Sequence, residues 1–325
     1  THLTGTDLAP FPLGFFNAGF TGDLHRRILQ IAEQRSIAIS DIEIELVNHY
    51  WLTGSFVQGT GEGHAEPTDI EVRIASPAGT REVEALVAAA LDASPAVALQ
   101  RQALGDNTFA LYINGRRRTV ADVPASTASD VVDPYRAYAS APRPLADAKV
   151  RADLVVKTGP KEQGAAAPAA APISGKQIRN INGIGRPLGA DDLLAVDTWL
   201  GLPGASHFRI VAAGGKAAAA PSGLALLSAG ISFCYMTQLS RYIENMKFDI
   251  GGVRLVQFNP FRAAAKAEAL PIDTHLFLNG AAPEEHHRQL LMVAARTCYL
   301  HAAAKSPIDP KVRIVHNGVA RERAA

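Results

Sequence analysis

Apolar positions three and four apart single out one stretch, Pro221 to Gly252 (PSGLALLSAGISFCYMTQLSRYIENMKFDIGG). Leu224, Leu227, Ile231, Tyr235, Leu239, Tyr242 and Met246 fall on one face of a helix, and Arg241, Glu244 and Lys247 fall off it, where they reach water. Pro221 before Ser222 starts the helix, and Gly251-Gly252 ends it. Cys234 lies on the flank of the stripe, with Gly230 one turn earlier. A glycine there costs about 1 kcal/mol of helix propensity. The placement predicts that another helix, or a substrate, comes close beside the sulfur.

Elsewhere the period shortens. A helical segment from Pro10 to Ile39 leads into strands at Ile42–Leu46 and Trp51–Val57, a polar glycine-rich loop (GTGEGHAEPTD, Gly59–Asp69) and a strand at Ile70–Ser76. A helix is expected from Thr80 to about Leu99, kinked or ended by Pro95, then a strand at Thr108–Gly115 closed by the basic run Arg116–Arg118. From residue 121 to 172 the chain turns rich in Ala, Pro, Ser and Asp, with the low-complexity GAAAPAAAP at 164–172. This stretch reads as a linker holding at most a short helix or strand. Three strands then precede the long helix, and after it come GVRLVQF, THLFLNG, a helix from Pro283 to about Ala304, and KVRIVHNG.

The second half thus repeats the order of the first. A shift of 211 places Pro10 on Pro221, Ala18-Gly19 on Ala229-Gly230 and Ile39 on Ile250; near the ends a shift of 203 places Ile113-Asn114-Gly115 on His316-Asn317-Gly318. Opposite Cys234 the first half has Asp23, and opposite Cys298 it has Ser94. The expected domains are a degenerate repeat over 1–120, the linker over 121–172 and a cysteine-bearing repeat over 173–325. Asp23 and His25 offer a separate acid/base pair as an alternative use of the first half.

Charge narrows the function classes. The chain has formal net charge +1, 47% hydrophobic and 19% charged residues, so no basic bias toward nucleic acid exists. No run of about 18 apolar residues suggests a membrane span. The opening THLTGTDLAPFPLG lacks a signal-peptide pattern, and two cysteines are too few for a disulfide framework, so a cytoplasmic protein is expected. No cofactor or metal motif is found; adjacent His286 and His287 point about 100° apart on a helix and make a poor metal pair. A lone cysteine on such a helix is ordinarily a small buried hydrophobe. Cys234 is about 18 Å along the axis from Ser222, beyond the reach of the helix dipole, so a reactive thiol there needs a cation from elsewhere.

Three pieces of the second half carry a resemblance. GRPLGADDLLAVDTWLGLP looks like an early Gly-Arg and strand hairpin, GGKAAAAPSGLALLSAGISFC like a glycine-containing lead into a long helix with a reactive cysteine, and ARTCYLHAAA like a second cysteine motif on a later helix. In this order they resemble the OsmC/Ohr family of osmotically induced and organic hydroperoxide resistance proteins, over about Lys176–Gly318. The resemblance implies an α+β fold in which tandem repeats form an intramolecular pseudo-dimer, with long central helices wrapped by curved β-sheets. It implies a thiol-dependent peroxidase for organic hydroperoxides, with Cys234 as peroxidatic thiol, Cys298 as resolving thiol and Arg186 as the activating cation. An external dithiol would be the reductant and a small molecule the substrate, with further oligomerisation left open.

The chain departs from that pattern in two places. The glutamate expected about ten residues before the first cysteine is absent: Gly223, Leu224 and Ala225 stand there, and Asp191, Asp192, Asp197, Asp23 or Glu66 are the candidate substitutes for holding Arg186. The proline after the second cysteine is Tyr299, and His301 follows Cys298 by one helical turn, placed to lower that thiol's pKa or to act as a base. Two other functions therefore stand beside the peroxidase. One is a different enzyme on the same scaffold that uses Cys234 or His301 on a nonperoxide molecule; the other is a small-molecule binding protein without catalysis.

Overall fold

The computed structural model describes residues 9–102, 104–105, 107–140, 153–159, 178–189, 192–202, 204–214 and 220–322. The first half runs α1 (Pro12–Gln34), β1 (Asp41–Thr53), β2 (Glu62–Ala75), α2 (Thr80–Ala93), α3 (Pro95–Arg101), β3 (Thr108–Ile113) and β4 (Arg116–Arg118). A short α4 (Pro134–Ser140) and β5 (Val155–Gly159) follow within the stretch read as linker, whose residues 141–152 and 160–172 lie outside the described residues. Then come β6 (Arg179–Pro187), β7 (Leu193–Leu200) and β8 (His207–Ala213), leading into α5 (Gly223–Met246). The chain closes with β9 (Ile250–Phe258), β10 (Phe261–Arg262), β11 (Glu268–Ala269), β12 (Asp273–Gly280), α6 (Glu284–Thr297), α7 (Tyr299–Lys305), β13 (Lys311–His316) and β14 (Val319–Glu322).

This mixed α+β chain forms an eight-stranded sheet in the order β14-β13-β2-β1-β6-β7-β8-β5, a four-stranded sheet in the order β4-β3-β12-β9 and the small β10-β11 pair. Each large sheet draws on both halves of the chain. The β3–β4 hairpin of the first half joins β12 of the second in parallel, and the β13–β14 hairpin of the second joins β2 of the first in parallel. Both hairpins turn on Asn-Gly with positive φ at both residues, 49° and 79° at Asn114-Gly115 and 49° and 80° at Asn317-Gly318. That geometry matches the twist of the flanking strands, and asparagine and glycine adopt it readily.

Helices α1 and α5 pack directly on each other. An added Cβ at Gly19 would lie 2.2 Å from the Leu227 backbone nitrogen, and one at Gly230 would lie 2.6 Å from that of Phe16. The two contacts are one contact with the halves exchanged, since Phe16 and Leu227, like Gly19 and Gly230, are 211 residues apart. Around them Phe16, Phe20, Leu24 and Ile28 of α1 and Leu227, Ile231, Tyr235, Leu239 and Tyr242 of α5 are buried. Of the apolar stripe expected on α5, Leu224 is only partly buried and Met246 is exposed. Alternation does the same for β1, where Ile42, Ile44, Leu46 and Tyr50 point inward. Each such side chain contributes about 1.5–3 kcal/mol on burial. By length and composition α5 could also cross a membrane, yet half of its most apolar window is buried within the protein, as in a core helix.

Several boundaries differ from expectation: α1 ends at Gln34 short of Ile39, and α5 ends at Met246, capped by Lys247 at φ 52°, while Gly251-Gly252, expected to end it, lies inside β9. The strand placed at Trp51–Val57 is the end of one long β1, and the loop placed at Gly59–Asp69 belongs mostly to β2, so the connection is only residues 54–61. Twelve paired positions between β1 and β2 outweigh the local glycines. The helix expected over Thr80–Leu99 is two helices that meet at Ser94, as Pro95 foreshadowed. The helix expected over Pro283–Ala304 is likewise two, meeting at Cys298 without a proline to announce it.

The helix crossing can be tested by adding one methyl group. Gly19→Ala and Gly230→Ala each drive a Cβ into rigid backbone and should lower stability by about 3 kcal/mol or more, read as the urea midpoint at constant m-value. Gly251→Ala, with nothing within 4 Å of the new Cβ, should stay within roughly 0.5 kcal/mol. Equal effects at all three positions would contradict the close crossing.

Candidate functional site

Cys234 sits in the middle of α5, 3% exposed, and faces the break between α6 and α7, where Cys298 is fully buried. At that break the Cys298 backbone is extended, with φ −73° and ψ 114°. The next N–H groups begin a new helix and lack partners within it. The N–H groups of Leu300 and Tyr299 and the Cys298 thiol lie toward the Cys234 sulfur and favour its ionised form.

These donors give the two thiols opposite character. The hydrogen bond from Cys298 is the largest influence on Cys234 and, with the two N–H groups and the charge of Arg241, holds its pKa below the usual thiol range against the cost of burial. Burial pushes Cys298 well up, and the Cys234 sulfur beside it pushes the same way. One thiol is thus prepared to ionise and its neighbour to keep its proton.

Aromatic side chains close the site. Tyr50 of β1 stacks on Tyr299 with ring centroids 5.4 Å apart. Phe56, in the β1–β2 connection, lies edge-on to Tyr242 at 5.7 Å and beneath the Arg241 guanidinium at 4.7 Å. Burial raises the Tyr299 pKa, and Arg179 of β6 opposes this by charge and by a hydrogen bond to the Tyr299 side chain. His301 Nδ1 is 3.1 Å from Cys298 Sγ, between the rings of Tyr235 and Phe109. Burial, aided by Lys305, lowers the His301 pKa to about 3. It is therefore a neutral imidazole near pH 7, and it does not lower the Cys298 pKa as a cation would.

The expected cation is elsewhere. Arg186 lies on the outer face of the large sheet with its side chain 54% exposed, and its Nε donates to Glu43 Oε2 at 2.5 Å. The guanidinium whose charge reaches Cys234 belongs to Arg241. Strand alternation explains the difference: Arg186 is seven positions along β6 from Arg179, so the two point to opposite faces. None of the acids proposed to hold Arg186 is its described partner, and Asp191 lies outside the described residues; Glu43 was not anticipated. Arg241 was read as a solvent-facing residue, although its i+7 relation to Cys234 already set both near one face of α5. Arg179, Tyr50 and Tyr299 were missed because only the strand pairing and the α6–α7 break bring them in.

The first half holds a matching arrangement with different chemistry. Ser94 lies at the α2–α3 break with φ −88° and ψ 114°. Asp23 Oδ2 accepts from Ser94 Oγ at 2.6 Å and from the Ala96 N–H at 3.2 Å, while Oδ1 accepts from Arg27 at 3.3 Å. Burial raises the Asp23 pKa against these donors. His25 leaves the other side of α1, toward Gly214, so Asp23 and His25 do not form an acid/base pair. Among the described residues no group of three His, Cys, Asp or Glu side chains is placed to hold a metal; His286 stacks on Phe248 and His287 Nδ1 bonds the Pro283 carbonyl. A cleft of about 660 Å³ opens on the four-stranded sheet, lined by Tyr112, Asp130, Asp133, Tyr135, Arg254 and Phe277, with neither cysteine in its walls.

No family model and no curated protein matches the chain. Among solved structures it is similar to an OsmC-like hydroperoxide resistance protein from Jannaschia sp. CCS1, at 18% identity over 44% of this chain and 97% of that one, with a TM-score of 0.30. An overlap of that quality carries no chemistry over to this chain.

Burial of His301 has a pH consequence. Its pKa is about 3 in the fold against 6.5 for the free side chain, so between those values the unfolded chain binds a proton that the folded chain refuses. Stability contributed by the neutral ring is complete above pH 6.5 and is lost as pH falls toward about 3. Between pH 4 and 6, His301→Gln should therefore show a pH slope of unfolding free energy shallower than wild type by about 1.4 kcal/mol per unit. Identical slopes would mean that His301 is hydrated and titrates normally.

Proposed function

We propose that the chain is a thiol peroxidase acting on organic hydroperoxides. The observation that carries this is the buried Cys234–Cys298 pair, in which one thiol is made acidic by hydrogen bonds and the other is held protonated beside it. The Cys234 thiolate attacks the peroxide, the O–O bond breaks, and the alkoxide leaves and takes up a proton. The sulfur, oxidised by two electrons, becomes a sulfenic acid. Cys298 then attacks that sulfur, an S–S bond forms and water leaves; an external dithiol reduces the disulfide by exchange. Arg241 supplies the positive charge that favours the thiolate, the role expected of Arg186.

The same reading treats the chain as a tandem pseudo-dimer of two repeats, in which only the second keeps its thiols. Support comes from the exchange-related contacts at Gly19 and Gly230, the two matching Asn-Gly hairpins and the reciprocal strand additions at β12 and β2. A second reading, a small-molecule binding protein without chemistry, is favoured only by the separate cleft on the four-stranded sheet.

Steady-state turnover of cumene hydroperoxide with a dithiol reductant tests the assignment. Cys234→Ser should fall to the uncatalysed rate, and Cys298→Ser should complete one turnover and stall. Arg241→Gln should slow the first step a few-fold at pH 7, because its charge is the smallest of the influences that favour the Cys234 thiolate; the defect should shrink toward pH ~8.5. Arg186→Ala should stay within about twofold of wild type. A wild-type rate equal to that of Cys234→Ser would end the peroxidase reading.

A further inference from the structure

The thiol chemistry leaves the outer face of the four-stranded sheet unused. Leu111, Leu276 and Leu255 form one row across β3, β12 and β9 and pack against the main core. The next row, Tyr112, Phe277 and Arg254, therefore points to the opposite face. A strap from Ser126 to Arg136, within the stretch read as linker, crosses that face and is clamped at both ends. Arg117 donates to the Ser126 carbonyl at 2.7 Å, to the Ala128 carbonyl at 2.8 Å and to Asp130 Oδ1 at 2.9 Å. Arg254 grips Asp133 through two parallel bonds of 2.7 and 2.8 Å. The cleft of about 660 Å³ lies between this strap and the sheet, inside the range of about 300–1,000 Å³ that small-molecule sites occupy.

Beneath the cleft runs a connected chain of polar side chains. Tyr112 Oη is 3.1 Å from Asp130 Oδ1 and 3.1 Å from His275 Nδ1. His275 has no exposed surface, and its Nε2 is 3.2 Å from Asp273 Oδ2. Asp273 in turn accepts from Thr108 at 2.8 Å and from Ser126 at 3.0 Å. Burying an imidazole under the strap costs more than burying an apolar side chain there. In return the chain fixes Tyr112 and Asp130 in the cleft wall before any ligand arrives. Hydrogen bonds from Arg117 and Tyr112 hold the Asp130 carboxyl below its usual range, so it stands as an acceptor near neutral pH.

The wall groups that remain free define the ligand. Both carboxylates are already balanced, Asp130 by Arg117 and Asp133 by Arg254, so a charged ligand of either sign meets a like charge. Among the described residues both contacts to Asp130 go to Oδ1, which leaves Oδ2 as an acceptor; Asn279, whose Oδ1 accepts from Arg254, keeps its Nδ2 as a donor. Hydroxyl groups on neighbouring carbons each donate and accept, and they satisfy both without bringing charge. Tyr135 stands at the lip, 72% exposed, with the Arg254 guanidinium over its ring at 5.9 Å. The rest of that ring is open to the C–H surface of a ligand. We propose that this cleft binds a neutral polyhydroxylated ring of monosaccharide size, with Asp130 and Asn279 taking neighbouring hydroxyl groups and Tyr135 covering its apolar face. The site holds neither cysteine and does not rest on the peroxidase reading.

Saturation-transfer NMR titrations without hydroperoxide test the site. The probes are the methyl glycosides of glucose, galactose and mannose, with glucuronate and glucosamine as charged counterparts. At least one neutral glycoside should bind saturably, with a Kd below ~10 mM, and tighter than both charged sugars. Asp130→Asn should weaken that glycoside roughly tenfold through loss of a charged acceptor. Tyr135→Ala, at an exposed position where the urea midpoint should not move, should weaken it at least about threefold. Absence of saturable binding by all three glycosides, tighter binding of a charged sugar, or unchanged affinity in Tyr135→Ala would overturn the proposal. Hydroperoxide turnover by a protein that binds none of the sugars would remove this site and leave the peroxidase standing.

Discussion

The approach of α1 to α5 is the constraint on which the thiol site depends. Backbone meets backbone at Gly19 and at Gly230, which places both helices at the centre and leaves no room for a side chain between them. With α1 occupying one side of α5, the Cys234 side is covered by α6, α7 and the inward face of β1. The sulfur is therefore shielded from water at the middle of a long helix, where the helix dipole gives it no help. Its stabilisation as an anion has to come from other elements. The break at Cys298 provides it by turning two N–H groups toward the sulfur.

The first half shows that such a break is a feature of the scaffold and not of the thiols. Ser94 and Cys298 adopt nearly the same backbone conformation between two helices, and in each case the side chain on the central helix receives a donor from the break residue and one from the following N–H groups. In the first half that side chain is a carboxylic acid, Asp23. A position that accepts hydrogen bonds from an O–H and an N–H is built for an oxygen or sulfur acceptor with excess negative charge. Cys234 in the equivalent place is held as a thiolate would be, whereas Asp23 offers no nucleophile of comparable strength toward peroxide oxygen. Under the proposed duplication, only the second half carries thiols in this arrangement.

Much of this was legible along the chain and some was not, for physical reasons. Glycines inside strong helical patterns marked the crossing, because nothing local justifies their cost in helix propensity. Asn114-Gly115 and Asn317-Gly318 were read only as a match between the halves; that both are hairpin turns was not anticipated, although few other pairs take that turn. The two cysteines were singled out and expected side by side, but the helix break at Cys298 was not anticipated. Cys298 interrupts a run with good helical periodicity, and only packing against α5 decides that the helix stops there. Arg186 followed a short motif, but its strand sends it outward to Glu43. Arg241 and Arg179 carried no local signal of a site. One belongs to the polar side of an amphipathic helix, and the other is inward-facing only because β6 pairs with β1 in that register.

The most direct test of the account is the oxidation state of the two sulfurs after contact with hydroperoxide. Reduced protein treated with one equivalent of cumene hydroperoxide, quenched with an alkylating agent and weighed intact, should lose two hydrogens and take up no alkyl group. Peptide mapping should then find Cys234 joined to Cys298. A protein that alkylates at both cysteines as before, or that gains two oxygens on Cys234 while Cys298 stays free, would contradict the paired-thiol mechanism.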